Sequence, residues 1–156
     1  MRKIILAITL LCFTALNASS QEIYKEVKRI MRNAETIKND TTKNLEDRKI
    51  ATFKSDAIYY LMMKAAEADN FSEYELGNQA NAMIEFVNIF VKRMSKAKKK
   101  EDKDIIITRF KNATTRNPLF NDPEKEIVYA YVDNDRYVTQ FSIDTNWIKA
   151  IQVIKN

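Results

Sequence analysis

With 156 residues, 46% of them hydrophobic and 30% charged, the chain is one domain's worth of ordinary globular composition, well removed from the disordered class. It has no histidine, one glycine and one cysteine, Cys12, which lies in the N-terminal leader. These shortages exclude the histidine base, the zinc–imidazole site, the nucleophile triad, the phosphate loop and thiolate chemistry, and they imply no cofactor and no metal.

Arg2 and Lys3 precede an apolar run, Ile4 to Leu16, that ends in Ala18, Ser19 and Ser20, the pattern of a secretory signal peptide. Cleavage after Ser20 leaves Gln21 as the new N-terminus and divides the chain into a leader, 1–20, and a single domain, 21–156. A lipoprotein processed at Cys12 is disfavoured, because Leu11 stands where that processing wants a small residue. The mature chain then carries no cysteine and no transmembrane span, since nothing in it approaches 18 apolar residues. Loss of Arg2 and Lys3 also leaves 24 basic against 21 acidic residues, interspersed, which gives no reason to expect nucleic acid as a partner.

The mature chain opens on a helix, Gln21 to Lys38, with Ile23, Val27, Ile30, Met31, Ala34 and Ile37 on one stripe. Asn39, Asp40, Thr41 and Thr42 stop it, because their side chains compete for backbone hydrogen bonds. The second helix carries Leu45, Ile50, Phe53, Ala57, Ile58, Leu61, Ala65 and Ala68 inward and ends at Asp69 and Asn70. The third, Ser72 to Lys100, is the expected central wall, with Leu76, Ala80, Met83, Ile84, Val87, Phe90, Val91 and Met94 on its apolar stripe. Ser72 and Glu75 read as a capping box there, and Phe71 with Leu76 as its hydrophobic staple. Gly77, in its first turns, reads as a point of close helix approach or as a glycine merely tolerated at about 1 kcal/mol, in preference to a ligand-cradling role.

A fourth, shorter helix spans Asp104 to Thr114, and Pro118 and Pro123 then bracket Leu119 and Phe120 in a turn-rich loop. The period next changes to two. Glu126 to Val132 and Tyr137 to Ile143 are expected as strands of a β-hairpin with Asn134 and Asp135 at its tip, pairing Val132 with Tyr137, Tyr131 with Val138 and Tyr129 with Gln140. Asp144 would cap a closing helix, Thr145 to Lys155, that carries Trp147, Ile148, Ile151 and Ile154.

Few side chains offer chemistry. Glu67, Asp69, Glu73 and Glu85 could supply a carboxylate pair for glycan hydrolysis, but nothing distinguishes them from solvated acids. Asp122, Glu124 and Glu126 lack the glycine and terminal acid of a calcium loop. Lys96, Lys98, Lys99 and Lys100 could bind an anionic surface, though Glu101 and Asp102 dilute the run and no aromatic residues interleave it. Tyr59, Tyr60, Tyr129, Tyr131, Tyr137 and Trp147 could line a groove, with core packing the simpler account of most of them.

The segments KIATFKSDAIYYLMMKAAEA (49–68) and PLFNDPEKEIVYAYVDNDRYVTQFSIDTNWIKA (118–150) resemble small exported proteins of unassigned function common in Bacteroidota. The resemblance implies a periplasmic or surface address, with no activity or site residues to carry over. In that setting Asp40-Thr41-Thr42 is similar to a short O-glycosylation sequence, which makes Thr41 a candidate acceptor.

The expected fold is therefore mainly α, of α+β class: three long antiparallel helices and a shorter one, followed by a C-terminal β-hairpin and a closing helix. The expected function is an exported, non-enzymatic binding module with a protein or glycan partner in the cell envelope, met through an apolar face of Tyr129, Tyr131 and Val138. A carboxylate-dependent glycan hydrolase and an anionic-surface binder stand as alternatives.

Overall fold

A computed structural model describes the backbone of residues 2–122, 129–132, 135–138 and 141–156, and the side chains of 21–122 and 141–156. Its body is helical: α1 (Arg2–Asn39), α2 (Leu45–Glu67), α3 (Glu73–Lys96), α4 (Lys100–Thr115) and α5 (Trp147–Lys155). α1 runs without a break through the expected cleavage point at Ser20.

Local chemistry sets the joints. Asp40 Oδ1 accepts from the backbone N–H of Thr42 at 2.9 Å and from its hydroxyl at 2.6 Å, closing a turn between α1 and α2. Asn44 caps α2 by accepting from Asp47 N–H. Ser72 Oγ accepts from Glu75 N–H at 3.1 Å, the first half of the expected capping box. The second half is replaced, because Glu75 Oε1 instead accepts from the buried Gln79 amide at 2.9 Å. α4 begins four residues before its expected start, so Lys100 sits in a first turn whose dipole disfavours it and Glu101 and Asp102 offset that charge.

α3 is the wall against which the others condense. Leu76, Ala80, Met83 and Val87 are buried, and Ile84, Phe90, Val91 and Met94 are half-buried along its flank. Phe86, outside the expected stripe, is fully buried at the centre of an aromatic core. Its ring lies 4.9 Å from Phe110, 5.5 Å from Phe141 and 5.5 Å from Trp147, mostly in tilted or edge-to-face contact. Such pairs add about 0.5–1.5 kcal/mol each beyond area burial. Gly77 is a packing glycine: a Cβ there would stand 2.5 Å from Ile23 Cγ2, so α1 can approach α3 only because that atom is missing.

The α+β expectation is corrected to a helical bundle, since the described body is built of helices and no sheet forms a layer of it. Among the described residues, strand pairing is confined to two four-residue segments, β1 (Tyr129–Val132) and β2 (Asp135–Val138), with Tyr129 opposite Val138 and Tyr131 opposite Arg136. That register is displaced by two residues from the expected one, because two residues separate the segments where four were expected. The expected tip residue Asn134 and the remainder of the first strand, 126–128, lie outside the described residues.

The expected second strand fails at 141–143 for a physical reason. Phe141 is only 5% exposed and Ile143 5%, both in irregular backbone, so their β-branched and aromatic character serves the helical core and not a pleated surface. This buried stretch satisfies its polar groups through side chains. Ser142 N–H donates to Thr114 Oγ1 at 3.2 Å, and Thr145 Oγ1 donates to Ser142 C=O at 2.7 Å.

Asp144 is also reassigned. The cap of α5 is Asn146, whose Oδ1 accepts from Lys149 N–H at 3.1 Å. Asp144, 2% exposed, turns away and accepts three backbone N–H groups of the proline loop: Leu119 at 3.0 Å, Phe120 at 2.8 Å and Asp122 at 2.7 Å. One buried carboxylate thus fastens the 118–122 loop onto the start of α5. Gln79 completes the joint from α3, accepting from Trp147 N–H at 2.7 Å and donating to Asn146 Oδ1 at 3.3 Å.

Candidate functional site

α1, α2 and α3 leave between them a groove of about 640 Å³, within the range typical of small-molecule sites. Its floor is apolar: Ile30, Ala34 and Ile37 from α1, Ile50 and Ala51 from α2, Ile84 and Val91 from α3. Helical periodicity puts the α1 and α3 residues there, because 30, 34 and 37 repeat at four and three and 84 and 91 at seven on the flank each helix turns toward its neighbours. The rim is polar and carries Arg29, Asn33, Lys43, Asp47, Lys54, Asn88 and Lys92.

Four cations therefore face one carboxylate, and their engagements differ. Arg29 is bound to Glu26 through two hydrogen bonds of 2.8 and 2.7 Å. Asp47 accepts from Asn44 Nδ2 at 2.7 Å. Lys54 is half-buried, and its ammonium donates to a neutral acceptor, Asn88 Oδ1, at 3.1 Å. Burial holds the Lys54 ammonium below the ordinary lysine range.

A second cluster surrounds the Asp144 tie. The buried Tyr60 hydroxyl donates to Asp122 Oδ2 at 3.3 Å, and Lys64 Nζ lies 3.7 Å from the same oxygen and 3.1 Å from Glu67. Desolvation pushes the Tyr60 phenol well above its usual range, and the charges of Asp144 and Asp122 push it further. The cluster fixes the loop to α2.

The residues singled out from sequence fall apart in space. Lys96, Lys98, Lys99 and Lys100 are all exposed around the α3–α4 joint, Lys98 and Lys99 beyond the end of α3. Thr41 is exposed in the α1–α2 turn, where its neighbour Thr42 is held by Asp40. Tyr129 and Tyr131 lie on β1 and Val138 on β2, and their side chains are outside the described residues. Tyr59 is 58% exposed whereas Tyr60 and Trp147 are buried, so these three form no common lining. Of the acids, Glu85 pairs with Lys155 at 2.7 Å and Glu67 with Lys64, while Asp69 and Glu73 are exposed.

Among the described residues, no three of His, Cys, Asp and Glu are gathered in a way that could hold a metal ion, and no helix is long and apolar enough to cross a membrane. Sequence reasoning missed the groove. The signal was present as Lys54, a lone cation among Phe53, Ser55, Ala57 and Ile58 in the most buried part of α2. Compared with protein-family models, curated proteins and solved structures, the chain matches none.

Proposed function

We propose that the protein is an exported binding module of the periplasm or cell surface, and that the α1–α2–α3 groove is where it holds its ligand. The observation that carries the reading is the groove itself: an apolar floor open between three helices of a packed body, rimmed by polar side chains and an excess of positive charge. Export is supported by the Arg2–Lys3, apolar run and Ala18–Ser20 sequence. The apolar area left uncovered between well-capped helices supports binding, since a fold gains by covering such area.

Two measurements on protein taken from its own cells test this. The intact mass of chain from the envelope fraction should correspond to a chain beginning at Gln21. Native mass spectrometry of the same material, purified without detergent, should then show a non-covalent adduct of a few hundred daltons that is absent after denaturation. A chain of full length retained in the cytoplasm would overturn the export reading. Ligand-free protein that also takes up no apolar probe would overturn the groove.

A further inference from the structure

We propose that the ligand is a long-chain monocarboxylate, its tail lying on Ile30, Ile37, Ile84 and Val91 and its carboxylate held between the Lys54 ammonium and the Asn88 amide. The inference rests on the groove reading and names its ligand class.

Charge complementarity is the first argument. Four cations line the groove against Asp47 alone. Glu26 engages Arg29, and Asn44 engages Asp47. Lys43, Lys54 and Lys92 are left, among the described residues, with no carboxylate partner, and of the three only Lys54 is half-buried.

The position of Lys54 is the second. On α2, Ala51 and Ala57 one turn to either side of Lys54 and Phe53 beside it are apolar, with Ala51 3% exposed, Phe53 2% and Ala57 0%, and the nearby Asp56 carboxylate is taken by Lys38 at 3.8 Å. An ammonium drawn partly out of water there loses hydration that one amide oxygen does not replace, and a carboxylate would replace it. Burial is the cause that holds this lysine below its ordinary range.

The orientation of Asn88 is the third. With Oδ1 accepting from Lys54, the amide presents its two Nδ2 hydrogens away from the ammonium. A carboxylate lying across the pair can accept from both, a charge-assisted arrangement that matches a single negative charge. The floor carries no polar side chain that a sugar's hydroxyls would need, and its isoleucines and valine suit an alkyl tail.

The protein, purified from exporting cells and stripped of lipid on a hydrophobic resin, is titrated calorimetrically with octadecenoate, octadecenol and octadecenylamine below their aggregation thresholds. Octadecenoate should bind at one site about tenfold or more tighter than the alcohol, the gain expected of charge-assisted bonds, and the amine should bind weakest. Lys54→Met should bring the acid down to the alcohol's affinity, and Lys54→Arg should keep the preference. Lys54→Met removes a poorly solvated charge and should unfold in urea at or above the parent midpoint, so loss of binding is not loss of fold. Equal binding of acid and alcohol, or a preference that survives Lys54→Met, overturns the carboxylate assignment while leaving the groove. If none of the three compounds binds, the groove reading falls and this inference with it.

Discussion

Replacing Asp144 by asparagine separates two roles for that residue that a sequence cannot tell apart. As an N-cap, aspartate and asparagine are nearly equivalent, and the exchange should change stability by only a few tenths of a kcal/mol. As the clamp seen here, Oδ1 serves Leu119 and Phe120, and Oδ2 serves Asp122 at 2.7 Å, all within a site 2% exposed. An amide can keep only one of those two oxygens. Whichever way it turns, an NH₂ then faces at least one backbone N–H, so a charge-assisted bond worth about 1.5–3 kcal/mol is lost and a buried donor is stranded at about 1–3 kcal/mol more. Relief from burying a charge offsets part of this, leaving a net loss of about 2–4 kcal/mol. With a urea slope of about 1–3 kcal/mol/M, the midpoint should fall by roughly 1–2 M at unchanged slope. Emission from Trp147, the single tryptophan and 0% exposed, follows the transition. An Asp144→Asn chain within about 0.5 kcal/mol of the parent would refute the clamp.

Tyr60 should make the fold sensitive to alkali. Its folded-state pKa is raised above the ordinary 10.0 by burial and by Asp144 and Asp122, so the contribution is intact below pH 10.0 and is lost as pH rises above it. Urea midpoints measured from pH 8 to 11 should fall more steeply for the parent than for Tyr60→Phe, and parallel curves would count against the assignment. Gly77→Ala should cost about 1 kcal/mol despite alanine's better helix propensity, because the new Cβ meets Ile23 Cγ2 at 2.5 Å. In an Ile23→Ala background the same change should become stabilising by up to about 1 kcal/mol, a reversal of sign that a double-mutant cycle of urea midpoints reads directly.

What the sequence made legible was local. Ser72 as a cap, the Asp40–Thr42 turn and the α3 stripe through Val87 each depend on residues within a turn or two, and each stands in the structure. What misled was the end of the expected second strand, 141–143, where Phe141 and Ile143 suggest the period of a strand but are buried in the helical core. Phe141 packs on Phe53, Phe86, Phe90 and Phe110, and Asp144 serves a loop 22–25 residues earlier. Ser142, between Phe141 and Ile143, is itself 2% exposed, so burial here does not alternate as it would on a strand with one packed face. Phe86 escaped notice for a related reason, since α5 packs on α3 beside the stripe and widens the buried face.

The groove escaped because no single helix contains it. Ile23 meets Gly77 at one level, and Ile30, Ile37, Ile84 and Val91 line the groove further along, so α1 and α3 run in the same direction with α2 antiparallel to both. Ile84 follows Gly77 by seven residues, about 10 Å of helix, and over that length the contact changes from a missing side chain to a branched one. One helix pair thus supplies a close crossing and, two turns on, an opening. The cation arrives from α2, where Lys54 reaches Asn88 of α3 across 34 residues of sequence. Residues 30, 37, 54, 84, 88 and 91 form no linear motif, and only the fold brings an alkyl-shaped floor and a poorly solvated ammonium to the same place.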